Sequence, residues 1–184
     1  LRAWSYFQLV QFFGDVPKIT TRTTSFDYTI GRSPLNKIYD LIIEDLTFAG
    51  TDGYLSTEIK DGHVNHWAAK ALLGKVYLTM ASAKNADKIA GYEAIPQSAA
   101  DLYGLAYDVL EDVIDNSGRE LMPVYGDVFR IENKNINKES IWELQFSSIE
   151  PYGTQWSKEM GLMSSGYSGT AGGWRYNAWA GQCQ

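Results

Sequence analysis

The stretch WRYNAWAGQC, near the C-terminal end of a 184-residue chain, sets Trp174, Tyr176 and Trp179 within six residues, directly after Gly172 and Gly173. No helical or strand period in that stretch buries the rings. Such flat surfaces can form a platform on which a flat partner stacks. They can equally be core residues of a larger structure, since aromatics are bulky apolar groups as well as platforms.

Other residue types that carry chemistry are sparse. His63 and His66 are the two histidines of the chain, and their i, i+3 spacing at a helix start is one that metal ligands use. No HExxH-type motif or neighbouring cysteine joins them, so they read as exposed or capping residues of a polar loop. The run DVFRIENKNINKE offers side-chain oxygens at Asp127, Glu132, Asn133, Asn135 and Asn137 but lacks the central glycine of a calcium loop, and it reads as a solvated turn. Glu44 with Asp45, and Glu111 with Asp112, fall on the polar sides of helices, where water suffices to explain them. There is no glycine-rich phosphate loop and no GxSxG elbow. The residues therefore propose no catalytic group, no metal and no cofactor.

The elements that would carry these groups are mainly helical. Leu1 to Phe13 is apolar on nearly every side, which suits a helix buried all round, with Gly14 and Pro17 as its stop. Asp15 to Arg32 is Thr-rich and reads as an extended connection. Ser33 as N-cap and Pro34 at N1 open a second helix with Leu35, Ile38, Tyr39, Ile42, Leu46 and Ala49 on one face. Asn65 caps a third, whose face is Ala69, Leu72, Leu73, Val76, Tyr77 and Met80. Ser98 and Asp101 form a capping box for a fourth, striped by Leu102, Leu105, Ala106, Val109, Leu110, Val113 and Ile114 and ended near Gly118. The third and fourth should pack as an antiparallel pair, with Leu72, Leu73, Val76, Leu105, Val109 and Leu110 buried together. Their spacing is loosely that of a tetratricopeptide unit of about 34 residues. SIWELQF, residues 140–146, alternates as a short strand or extended edge would.

From Glu150 onward the helical signal stops. These last 35 residues hold seven of the seventeen glycines and three of the six tryptophans, so they form a loop-rich tail too aromatic for a flexible linker. The expected division is a helical region at 1–149 and an irregular one at 150–184.

Composition sets the outer bounds. Hydrophobic residues make up 45% and charged residues 21%, values of a folded chain. A net charge of -6 opposes binding to a phosphate backbone, which argues against nucleic acid. No apolar run is long enough to cross a membrane as a helix. One cysteine, Cys183, allows no internal disulfide. The opening at Leu1, inside an apolar run and without an initiator Met, suggests a piece of a longer precursor.

Taken in order, LRAWSYFQLVQFFGDVPKIT, IYDLIIEDLTFA, AAKALLGKVYLTMA, LYGLAYDVLEDVID and ESIWELQF resemble the SusD/RagB family of outer-membrane nutrient-capture lipoproteins. The likeness covers about residues 1–149. It implies a helical fold of tetratricopeptide-like pairs. It also implies a non-catalytic role: a surface lipoprotein of Bacteroidetes-type cells that binds glycans and passes them to a SusC-like, TonB-dependent barrel. Membrane association would come through a lipid anchor outside this chain, since Cys183 lies at the wrong end to be lipidated. On this resemblance the tail gains a chemistry. Sugar C–H faces stack on Trp and Tyr while sugar hydroxyls bond to Arg and Asn, so Trp174, Arg175, Tyr176, Asn177 and Trp179 become candidate ligand contacts. The alternative within the same fold is a peptide or protein binder, because tetratricopeptide-like grooves take helices and extended peptides.

Overall fold

A computed structural model describes residues 1–22, 29–59, 62–86, 89–129, 133 and 137–143. These fall into two compact units, Leu1–Ile59 with Val64–Ser117, and Lys60–His63 with the segment that begins at Gly118. The first unit contains four helices: α1 (Arg2–Phe13), α2 (Leu35–Ala49), α3 (His66–Asn85) and α4 (Ala99–Asn116). The structure is thus mainly α, as the periodicities require.

Helices α2, α3 and α4 each start where a side chain accepts from a free N–H group of the first turn. The Asn65 amide oxygen accepts the Ala68 N–H at 2.9 Å and begins α3. The Ser98 hydroxyl accepts the Asp101 N–H while the Asp101 carboxylate takes the Ser98 N–H, a complete capping box for α4. For α2 the expectation fails in an instructive way. Pro34, not Ser33, occupies the N-cap, and the Leu35 N–H is taken by the Asp15 carboxylate at 2.8 Å. An antiparallel bridge between Val16 and Ser33 brings that distant acid to the helix. Gly14 and Gly118 follow α1 and α4 at φ near +65° and +68°, the left-handed conformation in which glycine closes a helix without strain.

Antiparallel packing follows from the pairings. Lys70 near the start of α3 meets Asp112 near the end of α4, and Gly74 one turn on meets Leu110. Likewise, Arg2 of α1 forms a two-toothed ion pair with Asp45 late in α2. The shared core takes Phe7 and Val10 from α1, Ile38, Tyr39 and Ile42 from α2, Leu73, Val76 and Met80 from α3, and Leu102 from α4. The Tyr39 and Tyr92 hydroxyls bond to each other at 2.8 Å inside it, and that burial drives the Tyr39 pKa far above its ordinary value.

Two expectations about faces are corrected. α1 is not buried all round: Ala3, Tyr6, Phe7 and Val10 face inward at helical spacing, whereas Trp4, Phe12 and Phe13 are exposed. The α4 stripe is narrower than its apolar residues suggest. Leu102, Ala106 and Val113 are buried with Val109 and Leu110 half-buried, but Leu105 and Ile114 turn outward.

Asn65 is itself buried, so its cap cannot be replaced by water. Asn65→Ala is expected to cost about 1 to 2 kcal/mol, read as a lower urea midpoint at unchanged m-value.

Within the second unit, a 3₁₀ turn spans Tyr125–Phe129. The Glu120 N–H bonds to the Lys138 carbonyl at 3.3 Å and the Met122 N–H to the Glu139 carboxylate at 2.7 Å, which holds 119–122 beside 137–139. The expected strand is not formed at 140–143, and the rest of SIWELQF lies outside the described residues.

Candidate functional site

Trp174, Arg175, Tyr176, Asn177 and Trp179 lie outside the described residues. The site can therefore be built upward only from the helical unit and what its helices place together.

The histidine pair separates by burial. His63 is exposed, whereas His66 is 1% exposed. The His66 ring meets Trp67 edge-on at 4.8 Å, its Nε2 lies 3.8 Å from the Asp52 carboxylate, and its Nδ1 has no hydrogen-bond partner among the described residues. Among the described residues no three of His, Cys, Asp and Glu are grouped to hold a metal. His66 and Trp67 instead anchor the loop before α3. The His66 N–H bonds to the Ser56 carbonyl at 2.9 Å and the Trp67 indole N–H to that of Thr57 at 3.0 Å.

The carboxylate pairs acquire partners that spacing did not show. Asp45 is held by Arg2, Glu111 accepts the Tyr107 hydroxyl at 2.6 Å, and Asp112 takes both the Lys70 ammonium and the Asn116 amide. Lys70 also lies 5.6 Å over the Trp67 ring, so cation, carboxylate and indole form one cluster across α3 and α4. The signal that could have found it is the pairing of opposite charges once the two helices are set antiparallel.

Hydrogen bonds from Lys70, and then from Asn116, hold the Asp112 carboxyl below its ordinary range. A carboxyl with a depressed folded pKa adds stability that is complete above its unfolded value, about pH 4, and lost as pH falls through the folded value. Asp112→Asn should therefore separate from the parent protein most at neutral pH and converge with it below about pH 4. Urea midpoints at pH 7, 5 and 3 check this.

The described helices also form concavities. A cleft of about 300 Å³ lies where the end of α2 meets α3 and α4, lined by Leu46, Leu73 and Val109 as well as Thr47, Thr51, Lys70, Asp108 and Asp112. A larger groove of about 640 Å³ runs between α1 and the second half of α3, past Val10, Leu35, Leu78 and Tyr92 and the polar Gln11, Lys75, Thr79 and Ser82. Both suit binding by shape and hydrogen bonds.

A SusD-like family model described as starch-binding and associating with the outer membrane matches residues 1–78. A SusD-like protein of Bacteroides ovatus is 33% identical over 149 residues, covering 79% of this chain and 25% of that protein. A second, SusD-like protein P2 of Formosa agariphila, is 31% identical over 104 residues, 55% of this chain and 20% of its own. Among solved structures, one crystallised with xylogluco-oligosaccharide superposes at TM-score 0.67 with 29% identity, over 82% of this chain and 29% of its own. A SusD superfamily protein from Bacteroides thetaiotaomicron superposes at 0.61 with 27% identity, over 83% of this chain and 31% of its own. The chain spans a fifth to a quarter of the length of the two relatives it matches.

Proposed function

Since this chain belongs to the SusD-like family, we propose that it is part of a protein that binds glycans at the outer membrane and delivers them to a SusC-like, TonB-dependent barrel. The observation that carries this reading is the superposition on a structure crystallised with xylogluco-oligosaccharide, over 82% of the chain. In this account the protein is a surface lipoprotein without catalytic activity. Its helical region, 1–149, is the scaffold, and 150–184 belongs to the ligand-binding part.

Trp174 and Trp179 then stack on sugar rings, with Arg175, Tyr176 and Asn177 completing the contacts. On immobilised polysaccharide, Trp174→Ala and Trp179→Ala of the full-length protein should each weaken retention about tenfold with thermal stability nearly unchanged, by analogy with ring stacking on nucleic-acid bases. A fall in Tm with binding altered only indirectly would return these rings to a core. Delivery is tested separately, by co-purification of the full-length protein with a SusC-like, TonB-dependent barrel from the same cells.

The groove between α1 and α3 favours a second reading, peptide capture, because it sets Val10, Leu35, Leu78 and Tyr92 beside the hydrogen-bonding groups of Gln11, Thr79 and Ser82. Peptides that bind where oligosaccharides do not would select it.

A further inference from the structure

The C-terminal turn of α2 exposes a stacked aromatic pair that the core does not use. Phe48 and Tyr54 have ring centroids 4.2 Å apart with planes inclined by 36°, and they remain 58% and 60% exposed. Phe48 lies off the face of α2 that buries Ile38, Tyr39 and Ile42. Tyr54 reaches it through a tight turn: the Thr51 N–H bonds to the Phe48 carbonyl, the Tyr54 N–H to that of Thr51, and Gly53 takes φ +90°. A side chain at that φ would be strained, so the glycine is what lets the chain fold back.

The pair is also held in place. The loop that follows is pinned to α3 by the Ser56 and Thr57 carbonyls, which accept from the His66 N–H and the Trp67 indole. Around the rings the polar groups are mostly acceptors. The Asp52 side chain is 95% exposed, and the Thr51 hydroxyl spends its proton on the Thr47 carbonyl, leaving its oxygen to accept. Space beside Gly53 is open. Thr47, Gly50 and Thr51 of the same turn line the cleft that also takes Asp108 and Asp112.

We propose that Phe48 and Tyr54 form a stacking subsite for a neutral pyranose unit of an oligosaccharide, whose hydroxyls donate to Asp52 and to acceptors of the adjoining cleft. An apolar sugar face matches the rings, and sugar hydroxyls supply the donors that an acceptor-rich rim needs. Acidic sugars are excluded by charge, because Asp52, Asp108 and Asp112 flank the turn and Lys70 is engaged with Asp112. This subsite rests on the glycan-binding reading and adds to it a position and a ligand charge.

The test uses the full-length protein titrated calorimetrically with xylogluco-oligosaccharide, maltoheptaose and an oligogalacturonide. Phe48→Ala/Tyr54→Ala is expected to weaken the best neutral ligand by about tenfold or more, and Phe48→Leu/Tyr54→Leu, which keeps apolar bulk without flat faces, should lose most of the same affinity. In the unmodified protein, the ring resonances of Phe48 and Tyr54 should move on titration. If the parent protein binds neutral sugar but the variants bind equally and the rings do not shift, the subsite is overturned while the glycan reading stands. If the parent protein binds no sugar, the glycan reading fails and takes the subsite with it. Tighter binding of the oligogalacturonide than of the neutral ligands would overturn the assignment of ligand charge.

Discussion

Leu73→Ala should lower the free energy of unfolding by about 2 to 5 kcal/mol, the range for deleting a packed leucine side chain. The side chain is 6% exposed and sits in the core that α3 shares with its neighbours, so truncation removes apolar burial and leaves a cavity that the fixed helices can only partly close. Leu105→Ala is the control. Leu105 belongs to the apolar positions of α4 yet is 40% exposed, and its loss should fall within about 0.5 kcal/mol of neutral. Urea denaturation of both variants makes the comparison. A Leu73 variant within 1 kcal/mol of the parent, or a Leu105 variant as damaged as Leu73, would mean that the faces are wrongly assigned.

Gly74→Ala should destabilise the same pair by about 1 to 2 kcal/mol. Two effects compete there. Alanine is favoured over glycine in a helix by about 1 kcal/mol. Against this, a Cβ at position 74 would lie 2.5 Å from both Cγ and Cδ2 of Leu110, so one of the two helices or the leucine rotamer must move, and overpacking of this kind costs about 1 to 3 kcal/mol. Steric cost wins because the contact involves the branch point of Leu110, not a free chain end. The sign should reverse once Leu110 is truncated: in a Leu110→Ala background the added methyl has room, and Gly74→Ala should become stabilising by up to about 1 kcal/mol. Additive effects across the double-mutant cycle would contradict the close approach of α3 and α4.

Why some of this was legible in the sequence and some was not has physical reasons. The helices α3 and α4 announce themselves because their caps are local: Asn65 and the Ser98–Asp101 pair act on N–H groups three residues away. The cap of α2 was not legible because its carboxylate, Asp15, comes from twenty residues upstream and needs the Val16–Ser33 bridge to arrive. A helix as apolar as α1 does not reveal which side is covered, since Trp4 and Phe7 look alike until packing selects one. Apolar spacing on α4 likewise overstates its buried face, because Leu105 and Ile114 satisfy the period yet are exposed among the described residues.

The same distinction governs the candidate sites. Trp174 and Trp179 draw attention through density of rings in one stretch, and that stretch lies outside the described residues. The Phe48–Tyr54 stack has no such density. One ring ends a helix, the other sits in a loop, and only the turn at Gly53 joins them. The Lys70–Asp112 pair is hidden for a similar reason, since 42 residues separate its members.

Glycan capture without chemistry is the central claim, and it is tested most directly by mixing the full-length protein with xylogluco-oligosaccharide and with maltooligosaccharides, following heat on titration and product by chromatography. The account predicts saturable binding of at least one of these neutral sugars and unchanged oligosaccharide after prolonged incubation. Absence of binding to every oligosaccharide, or cleavage of one of them, would contradict it.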